Sequence, residues 1–185
     1  MTTNHEQRQR EFEGRVALVA GASKGIGAAT AKAFADAGAA VVLAARDEQA
    51  IARLAGEITA NGGRALPVRT DVGDAESART LVERTLTEYG RLDFAFNNAT
   101  DGPPPAPLAD IEPDEFDKAI RTNIRGTFLG MKYQIAAMLR TGDGTAAIVN
   151  MASVAGVQGF PNLAGYVAGK AGIIGLTKVA ALDYA

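Results

Sequence analysis

Two side chains near the end of the sequence could carry out proton transfer. Tyr166 and Lys170 are four residues apart, so a helix would place the phenol and the ammonium on one face. A free phenol has a pKa of about 10 and is a poor acid or base near neutral pH, but a nearby cation favours its phenolate. The hydroxyl of Ser153, just past a predicted strand, could share the same crevice. The alternative is structural, because Tyr and Lys at this spacing occur by chance in many surface helices.

A glycine-rich turn near the start of the chain could bind an anion. The apolar run 16–20 predicts a buried strand, and the Ala-rich segment 28–34 predicts a helix. Between them, Gly21, Gly25 and Gly27 allow a sharp turn and the close approach of a ligand. The free N–H groups and positive dipole end of the helix would face that ligand. The turn therefore predicts a site for a dinucleotide pyrophosphate, with a simple tight connection as the alternative.

Apolar strand-like runs alternate with helical patterns along the whole chain. Strands are predicted over residues 16–20, 39–45, 65–69, 92–96 and 146–150. Asp74 is a predicted helix N-cap, Pro113 begins a long helix that runs toward Arg140, and the last helix carries Tyr166. Strict alternation predicts an α/β fold in which helices cover both faces of a doubly wound parallel sheet, in three αβα layers. We expect residues 1–13 to form a flexible tail and 14–185 a single domain.

The polar and glycine clusters all follow predicted strands. They are the turn 21–27, Arg46, Asp71, the pair Asn97 and Asn98, and Ser153. In a doubly wound sheet, ligands bind beyond the carboxyl ends of the strands, where the strand order reverses. These clusters are therefore predicted to converge on one site.

Composition narrows the classes of partner. The 185 residues carry a net charge of −2, which offers no basic surface for nucleic acid. There is no Cys, and the one His, His5, lies in the polar tail, so no metal site is predicted. Neither a secretory signal nor an apolar run long enough to cross a bilayer is present. We expect a cytoplasmic protein with a small-molecule partner, and neither nucleic acid nor membrane as partners.

Taken together, the motifs resemble those of the short-chain dehydrogenases/reductases, from about Gly14 to the end of the chain. The matching residues, in family order and spacing, are Gly21-x-x-x-Gly25-x-Gly27, Asp71-Val72, Asn97-Asn98-Ala99, Asn123, Ser153 and Tyr166-x-x-x-Lys170. The resemblance implies a Rossmann-like oxidoreductase that transfers a hydride between a nicotinamide cofactor and a carbonyl or secondary alcohol, as a ketoreductase does.

The resemblance also implies a role for each catalytic position. Tyr166 would act as general acid in reduction and as general base in oxidation, and Ser153 would hydrogen-bond the substrate oxygen. Lys170 would hold the nicotinamide ribose and stabilise the phenolate of Tyr166. Asn123 would support a water chain that carries the proton to solvent; as an alternative, compatible role, its buried amide would kink or tie the long helix.

Cofactor contacts follow from the same resemblance. Asp71 would meet the adenine amino group and Val72 its ring, Asn98 and Ala99 would line the adenosine ribose, and Asn97 would tie the fourth strand to its neighbours. The predicted cofactor residues are Gly21, Ser23, Lys24, Gly25, Ile26, Gly27, Arg46, Asp71, Val72, Asn98, Ala99, Tyr166 and Lys170.

The residues after the second strand favour NADP, with NAD possible. NAD-specific folds of this kind place an acidic side chain at this strand end, whereas this chain has Ala45 followed by Arg46. Arg46 can pair with a 2′-phosphate, and Lys24 in the glycine turn can add a second cation. Alternatively, both are solvated surface charges.

The chain departs from the family pattern at three places. Ala20 and Thr100 replace a usual Thr and Gly, and both are expected to be tolerated local changes. Family members also continue past Ala185 into further strands and a substrate-covering segment, so the last strands are expected to be lacking and the fifth strand to have an open edge. Two alternatives therefore stay open, a dinucleotide-binding domain with little or no turnover and an assembly protein. The resemblance implies a homodimer or homotetramer in every case.

Overall fold

Strands and helices alternate along the chain in the computed structural model, which describes residues 11–141 and 143–184. The strands are β1 (Val16–Ala20), β2 (Ala40–Ala45), β3 (Arg64–Arg69), β4 (Phe94–Asn97) and β5 (Ala147–Asn150). The helices are α1 (Gly25–Asp36), α2 (Glu48–Ala60), α3 (Ala75–Tyr89), α4 (Pro113–Ile120), α5 (Gly126–Thr141) and α6 (Ala164–Asp183). Each predicted strand is present: the bounds of β1 are those predicted, and the ends of the other strands lie within two residues of the prediction.

The five strands form one parallel sheet in the order β3-β2-β1-β4-β5. The chain winds outward from β1 in one direction through β3 and in the other through β5. The order therefore reverses between β1 and β4, and the loops that follow these two strands border a crevice. The predicted doubly wound α/β fold is confirmed.

Helices cover both faces of the sheet. Leu18 of β1 lies in a cluster with residues of α3 and α5, and its neighbour Val19 lies in a cluster with residues of α1 and α2. The helix residues of the two clusters are Leu81, Val82, Ala137 and Met138 on one face and Ala31, Ile51, Leu54, Ala55 and Ile58 on the other. Because both faces are covered, β1 and β2 are buried along their whole length. None of the helices in the described part of the chain is long and apolar enough to cross a membrane.

Asp93, just before β4, ties the beginnings of β1 and β4 together. Its side chain is 1% exposed and accepts hydrogen bonds from the Val16 backbone N–H at 2.9 Å, Arg15 Nη1 at 2.8 Å and Arg91 Nε at 2.9 Å. Burial acts to raise the pKa of Asp93, but the hydrogen bonds from Arg91 and Arg15 outweigh it, and the pKa is lowered. The clamp lies at the amino ends of the strands, away from the crevice, and stabilises the fold.

The packed part of the chain begins before the predicted domain boundary at residue 14. Phe12 packs against Phe34 and Phe94, with ring centroids 5.8 and 4.8 Å away, and its backbone N–H donates to the carbonyl of Ala37. Residues 1–10 of the predicted tail, including His5, lie outside the described residues.

The long helix predicted from Pro113 toward Arg140 is interrupted. A π-helical turn, Arg121–Arg125, separates α4 from α5, and Asn123 lies within it. Such turns widen a helix by one residue and are frequent at functional sites. The turn lies at Asn123, where one of the two roles expected from the sequence was an amide that kinks or ties this helix.

β5 forms one edge of the described sheet, beyond β4. Its residues alternate between exposed and half-buried, with Val149 exposed. Among the described residues, β5 pairs with β4 alone.

Candidate functional site

The connection between β1 and α1 is a tight glycine turn. Gly21 and Gly25 have φ values of +79° and +56°, in the left-handed region that favours glycine. A Cβ on Gly27 would lie 2.1 Å from the carbonyl oxygen of Gly21. Only glycine at position 27 therefore lets α1 begin this close to the end of β1.

The N-terminus of α1 is suited to an anion. Its N-cap residue, Lys24, makes no side-chain capping hydrogen bond. The first N–H groups of the helix are therefore left without a side-chain acceptor, and the helix dipole adds positive potential at the same point. Ser23, Lys24 and Gly25 line the adjoining cavity, so the anion site opens into it.

This cavity has a volume of about 620 Å³ and lies at the carboxyl ends of the strands. Its lining includes these predicted cofactor residues: Gly21, Ser23, Lys24, Gly25, Ile26, Arg46, Asp71, Val72, Asn98 and Ala99. Thr70, Asp101 and Thr122, which the sequence analysis did not single out, also line it. The loops after β1, β2, β3 and β4 thus converge, as the strand-end positions of these residues predict. Three of the predicted cofactor residues, Gly27, Tyr166 and Lys170, are not part of this lining.

Two predicted cofactor residues at the cavity have charged partners. Arg46 Nη2 is 3.3 Å from Asp101 Oδ2, and Arg121 Nη1 is 2.9 Å from Asp71 Oδ2. The other oxygen of Asp71 accepts a hydrogen bond from the Gly73 backbone N–H at 3.0 Å. The Asp71 carboxylate is therefore held from both sides, whereas Arg46 reaches across to the loop after β4.

Two consecutive asparagines, one that ends β4 and one that follows it, have different partners. Asn97 exchanges two hydrogen bonds with Gln134 of α5, at 2.9 and 2.8 Å, and donates to Asn150 of β5 at 2.9 Å. Asn98 Nδ2 lies 3.4 Å from the carbonyl oxygen of Gly21, in the glycine turn. Asn97 therefore ties β4 to its neighbours, whereas Asn98 lines the cavity and contacts the glycine turn.

Asn123 links the π-helical turn to the loop after β4. It is fully buried; its Nδ2 donates to the carbonyls of Asp101 at 2.7 Å and Ala119 at 2.9 Å, and its Oδ1 accepts from Thr100 Oγ1 at 2.8 Å. The expectation that this amide ties the helix agrees with these contacts. Thr100, which departs from the family's glycine, supplies one of the three hydrogen bonds.

Lys170 is a buried cation beside Tyr166. Its Nζ lies 5.6 Å from the centroid of the Tyr166 ring and donates to the carbonyl of Met151 at 2.8 Å. Lys170 is 1% exposed, and this burial lowers its pKa below the usual value for a lysine. Because Met151 follows β5, the bond fixes α6 against the end of the strand that leads to Ser153. The Ser153 hydroxyl caps the next turn by accepting from the Ala155 N–H at 3.1 Å.

The loop after β4 joins the cavity to Tyr166. Thr100 and Asp101 line the cavity, and a Cβ on Gly102 would lie 3.7 Å from Cδ2 of Tyr166. The cofactor-type residues and the Tyr166–Lys170 pair are therefore neighbours through one short segment. Sequence reasoning missed Asp101 and Arg121 as partners of Arg46 and Asp71, since pairs between distant loops leave no local signal. The replacement of the family's glycine by Thr100 was a sequence signal that this loop departs from the family pattern.

The residues present fit a dinucleotide. The absence of a Cβ on Gly27, together with the uncapped start of α1, makes a cradle for phosphate. Ile26 is exposed at the cavity, and Val72 offers a second apolar side chain to a planar ring. The same cavity therefore provides both an anion site and apolar walls, which are the two requirements of an adenine dinucleotide.

Comparisons with known proteins agree with this site. The chain is 42% identical over 176 residues to 2,5-dichloro-2,5-cyclohexadiene-1,4-diol dehydrogenase of Sphingobium indicum, covering 94% of this chain and 68% of that protein. It is 44% identical over 177 residues to an A-factor type gamma-butyrolactone 1′-reductase of Streptomyces virginiae, covering 96% and 68%. The crystal structure of NAD⁺-bound xylitol dehydrogenase superposes with a TM-score of 0.90 at 35% identity, covering 95% of this chain and 66% of that one.

The chain thus spans about two thirds of the length of these relatives. Residues 15–185 match the short chain dehydrogenase family. The matched range includes the sheet, the glycine turn and the helix that carries Tyr166 and Lys170. The relatives are dehydrogenases and reductases of that enzyme family. The chain therefore belongs to the short-chain dehydrogenases, the NAD(P)-dependent oxidoreductases that its sequence motifs resemble.

Proposed function

We propose that this chain transfers a hydride between NADP(H) and a carbonyl or secondary alcohol, with Tyr166 as the proton donor and acceptor. The observation that carries the proposal is the burial of Lys170 beside the phenol of Tyr166, 5.6 Å from the ring centroid. Taking an ammonium out of water costs free energy, which a purely structural helix position does not require. The burial of Lys170 beside Tyr166 is explained if the positive charge of Lys170 stabilises the phenolate of Tyr166 during the reaction.

Each catalytic residue then has a task at a stated atom. The bound cofactor supplies or accepts the hydride. In reduction, the Tyr166 hydroxyl gives its proton to the substrate oxygen, and the Ser153 hydroxyl donates a hydrogen bond to the same oxygen. Lys170 stabilises the resulting phenolate and holds the nicotinamide ribose, and Asn123 supports the water chain that returns a proton to Tyr166. In oxidation, the same groups act in the reverse direction.

The preference for NADP rests on the charges around the cavity. Ala45 ends β2 at the position where an acidic residue would favour NAD, Arg46 follows it, and Lys24 lies in the glycine turn. A neutral residue at the end of β2, together with these two cations in the cavity lining, suits a 2′-phosphate. The xylitol dehydrogenase relative holds NAD⁺, so the preference is a proposal about this chain's own residues.

The proposal is tested by following NADPH consumption with a panel of aldehydes and ketones that includes cyclic ketones, alongside cofactor binding in the same samples. We expect turnover with some members of the panel and a loss of about 10²- to 10⁴-fold in Tyr166→Phe, because a positioned acid contributes on this scale. Cofactor affinity should stay nearly unchanged. The matched control is Tyr184→Phe, which removes an exposed hydroxyl beyond α6.

Turnover that persists in Tyr166→Phe contradicts the assigned role. Tight NADPH binding without turnover in the unaltered chain contradicts the proposed activity and leaves a dinucleotide-binding domain. A homodimer or homotetramer and a cytoplasmic location stay predictions.

A further inference from the structure

An ion pair crosses the cavity between two loops that are not neighbours in the sheet. Arg46 follows β2 and Asp101 lies in the loop after β4, with β1 between these strands. The 3.3 Å contact between Arg46 Nη2 and Asp101 Oδ2 therefore spans the end of β1, where the glycine turn begins. Both residues line the same cavity, which is the one that the proposed function assigns to the cofactor.

The pair is weak, and its two members are held unequally. The Arg46 side chain is 65% exposed and that of Asp101 is 40% exposed, and exposed ion pairs contribute little free energy. The distance of 3.3 Å is also longer than the ~2.7–2.9 Å of a strong charge-assisted hydrogen bond. Asp101 is anchored, because its Oδ1 accepts from the Gly102 N–H at 3.0 Å and its carbonyl accepts from Asn123 at 2.7 Å. Arg46 is thus the partner that can move away.

We infer that Asp101 is a specificity-determining residue that competes with the 2′-phosphate of NADP for Arg46. The inference rests on the proposed function. A guanidinium bound to Asp101 is not available to the phosphate, so the measured affinity for NADP equals the intrinsic affinity multiplied by the fraction of Arg46 that is free. NAD has no phosphate at this position and does not require Arg46. Asp101 therefore narrows the preference for NADP over NAD and leaves the chain able to use either.

The variant Asp101→Asn isolates this competition. Asparagine removes the charge but keeps an oxygen for the Gly102 N–H, so the loop is preserved. We expect the affinity for NADPH to rise about two- to fivefold, the range that an exposed ion pair spans, with a smaller change for NADH. The nicotinamide-free probes adenosine 2′,5′-bisphosphate and 5′-AMP should show the same difference, since only the former carries the 2′-phosphate.

A control variant separates competition from simple charge repulsion. Asp47 lines the same cavity, and its carboxylate accepts from the Ala50 N–H as the N-cap of α2. Asp47→Asn removes the same charge and keeps a good capping residue. Any effect of Asp47→Asn on the ratio of NADPH to NADH affinity measures charge repulsion between a carboxylate in the cavity and the 2′-phosphate. This effect should be the same whether or not Arg46 is present.

The test is a double-mutant cycle of Asp101→Asn and Arg46→Gln, with calorimetric dissociation constants for the four probes. The inference holds if Asp101→Asn raises the NADPH to NADH ratio with Arg46 present and loses most of that effect in Arg46→Gln. It is overturned if the ratio shift is absent or the same in both backgrounds. If that happens but Arg46→Gln alone weakens NADPH binding more than NADH binding, the inference about Asp101 fails and the proposed preference for NADP stands. If Arg46→Gln changes both cofactors equally, or no probe binds, the NADP proposal itself fails, and the inference with it.

Discussion

Gly27→Ala tests whether the fold and cofactor binding require the close approach of the start of α1 to the backbone of Gly21. Position 27 does not have a positive φ, so backbone strain does not oppose alanine, and alanine is the better helix former. The only obstacle is contact, because the added Cβ would lie 2.1 Å from the Gly21 carbonyl oxygen and 2.8 Å from its carbonyl carbon. Real Cβ contacts rarely fall below 3.0 Å, so the helix start or the turn must move by nearly 1 Å.

The expected cost follows from that displacement. Overpacking a buried site costs about 1–3 kcal/mol, and here the clashing atoms are backbone, which cannot rotate away. For a domain of this size, 1 kcal/mol lowers the unfolding midpoint by about 2–4 °C, so we expect a fall of roughly 2–12 °C. The N–H groups at the start of α1 would also leave their positions. Losing one charge-assisted hydrogen bond to a phosphate costs about 1.5–3 kcal/mol, so NADPH affinity should fall at least about tenfold.

Thermal unfolding and calorimetric NADPH binding measure the two effects. The matched control is Gly56→Ala in α2, where no atom lies within 4 Å of the new Cβ. Its helix should become more stable by about 0.5–1 kcal/mol, with cofactor affinity unchanged. A Gly27→Ala protein with the unfolding midpoint and NADPH affinity of the unaltered chain would refute the argument from close approach.

Two further variants test the hydrogen bonds that position the site. Because hydrogen bonds from Arg91 and Arg15 keep the pKa of Asp93 below its unfolded value of about 3.9, the carboxylate stabilises the fold above that value and loses this effect as pH falls through the folded pKa. Asp93→Asn should therefore lower the free energy of unfolding by about 1–3 kcal/mol at neutral pH and by much less in acid. Equal losses at the two pH values, measured by urea unfolding, would contradict this. Thr100→Val removes the hydroxyl donor to Asn123 and should lower the free energy of unfolding by about 1 kcal/mol, whereas Thr100→Ser keeps the donor. Equal stability of the two variants and the unaltered chain would count against a stabilising hydrogen bond.

Local patterns were sufficient for the elements of the fold. The apolar run at β1 and the helix cap at Asp74, which accepts from the Ser77 N–H, were both predictable because each depends on residues close in sequence. The parallel sheet followed from the alternation of strands and helices. The π-helical turn was not predictable, since the Asn123 hydrogen bonds that accompany it come from a loop some twenty residues away in sequence.

The glycine turn and the residue types at the carboxyl ends of the strands were readable from the amino-acid sequence, because each is a pattern within one short segment. The family was readable too, because several such patterns follow one another in the family's order and spacing. How these residues pair, in contrast, is visible in the folded chain alone. The tertiary structure joined Arg46 to Asp101, placed Arg121 on Asp71, and buried Lys170 against the end of β5. Such contacts depend on the order in which strands associate and on where loops meet after folding. A charge that appears free in the sequence can therefore be engaged in the folded chain, which matters most for cofactor preference.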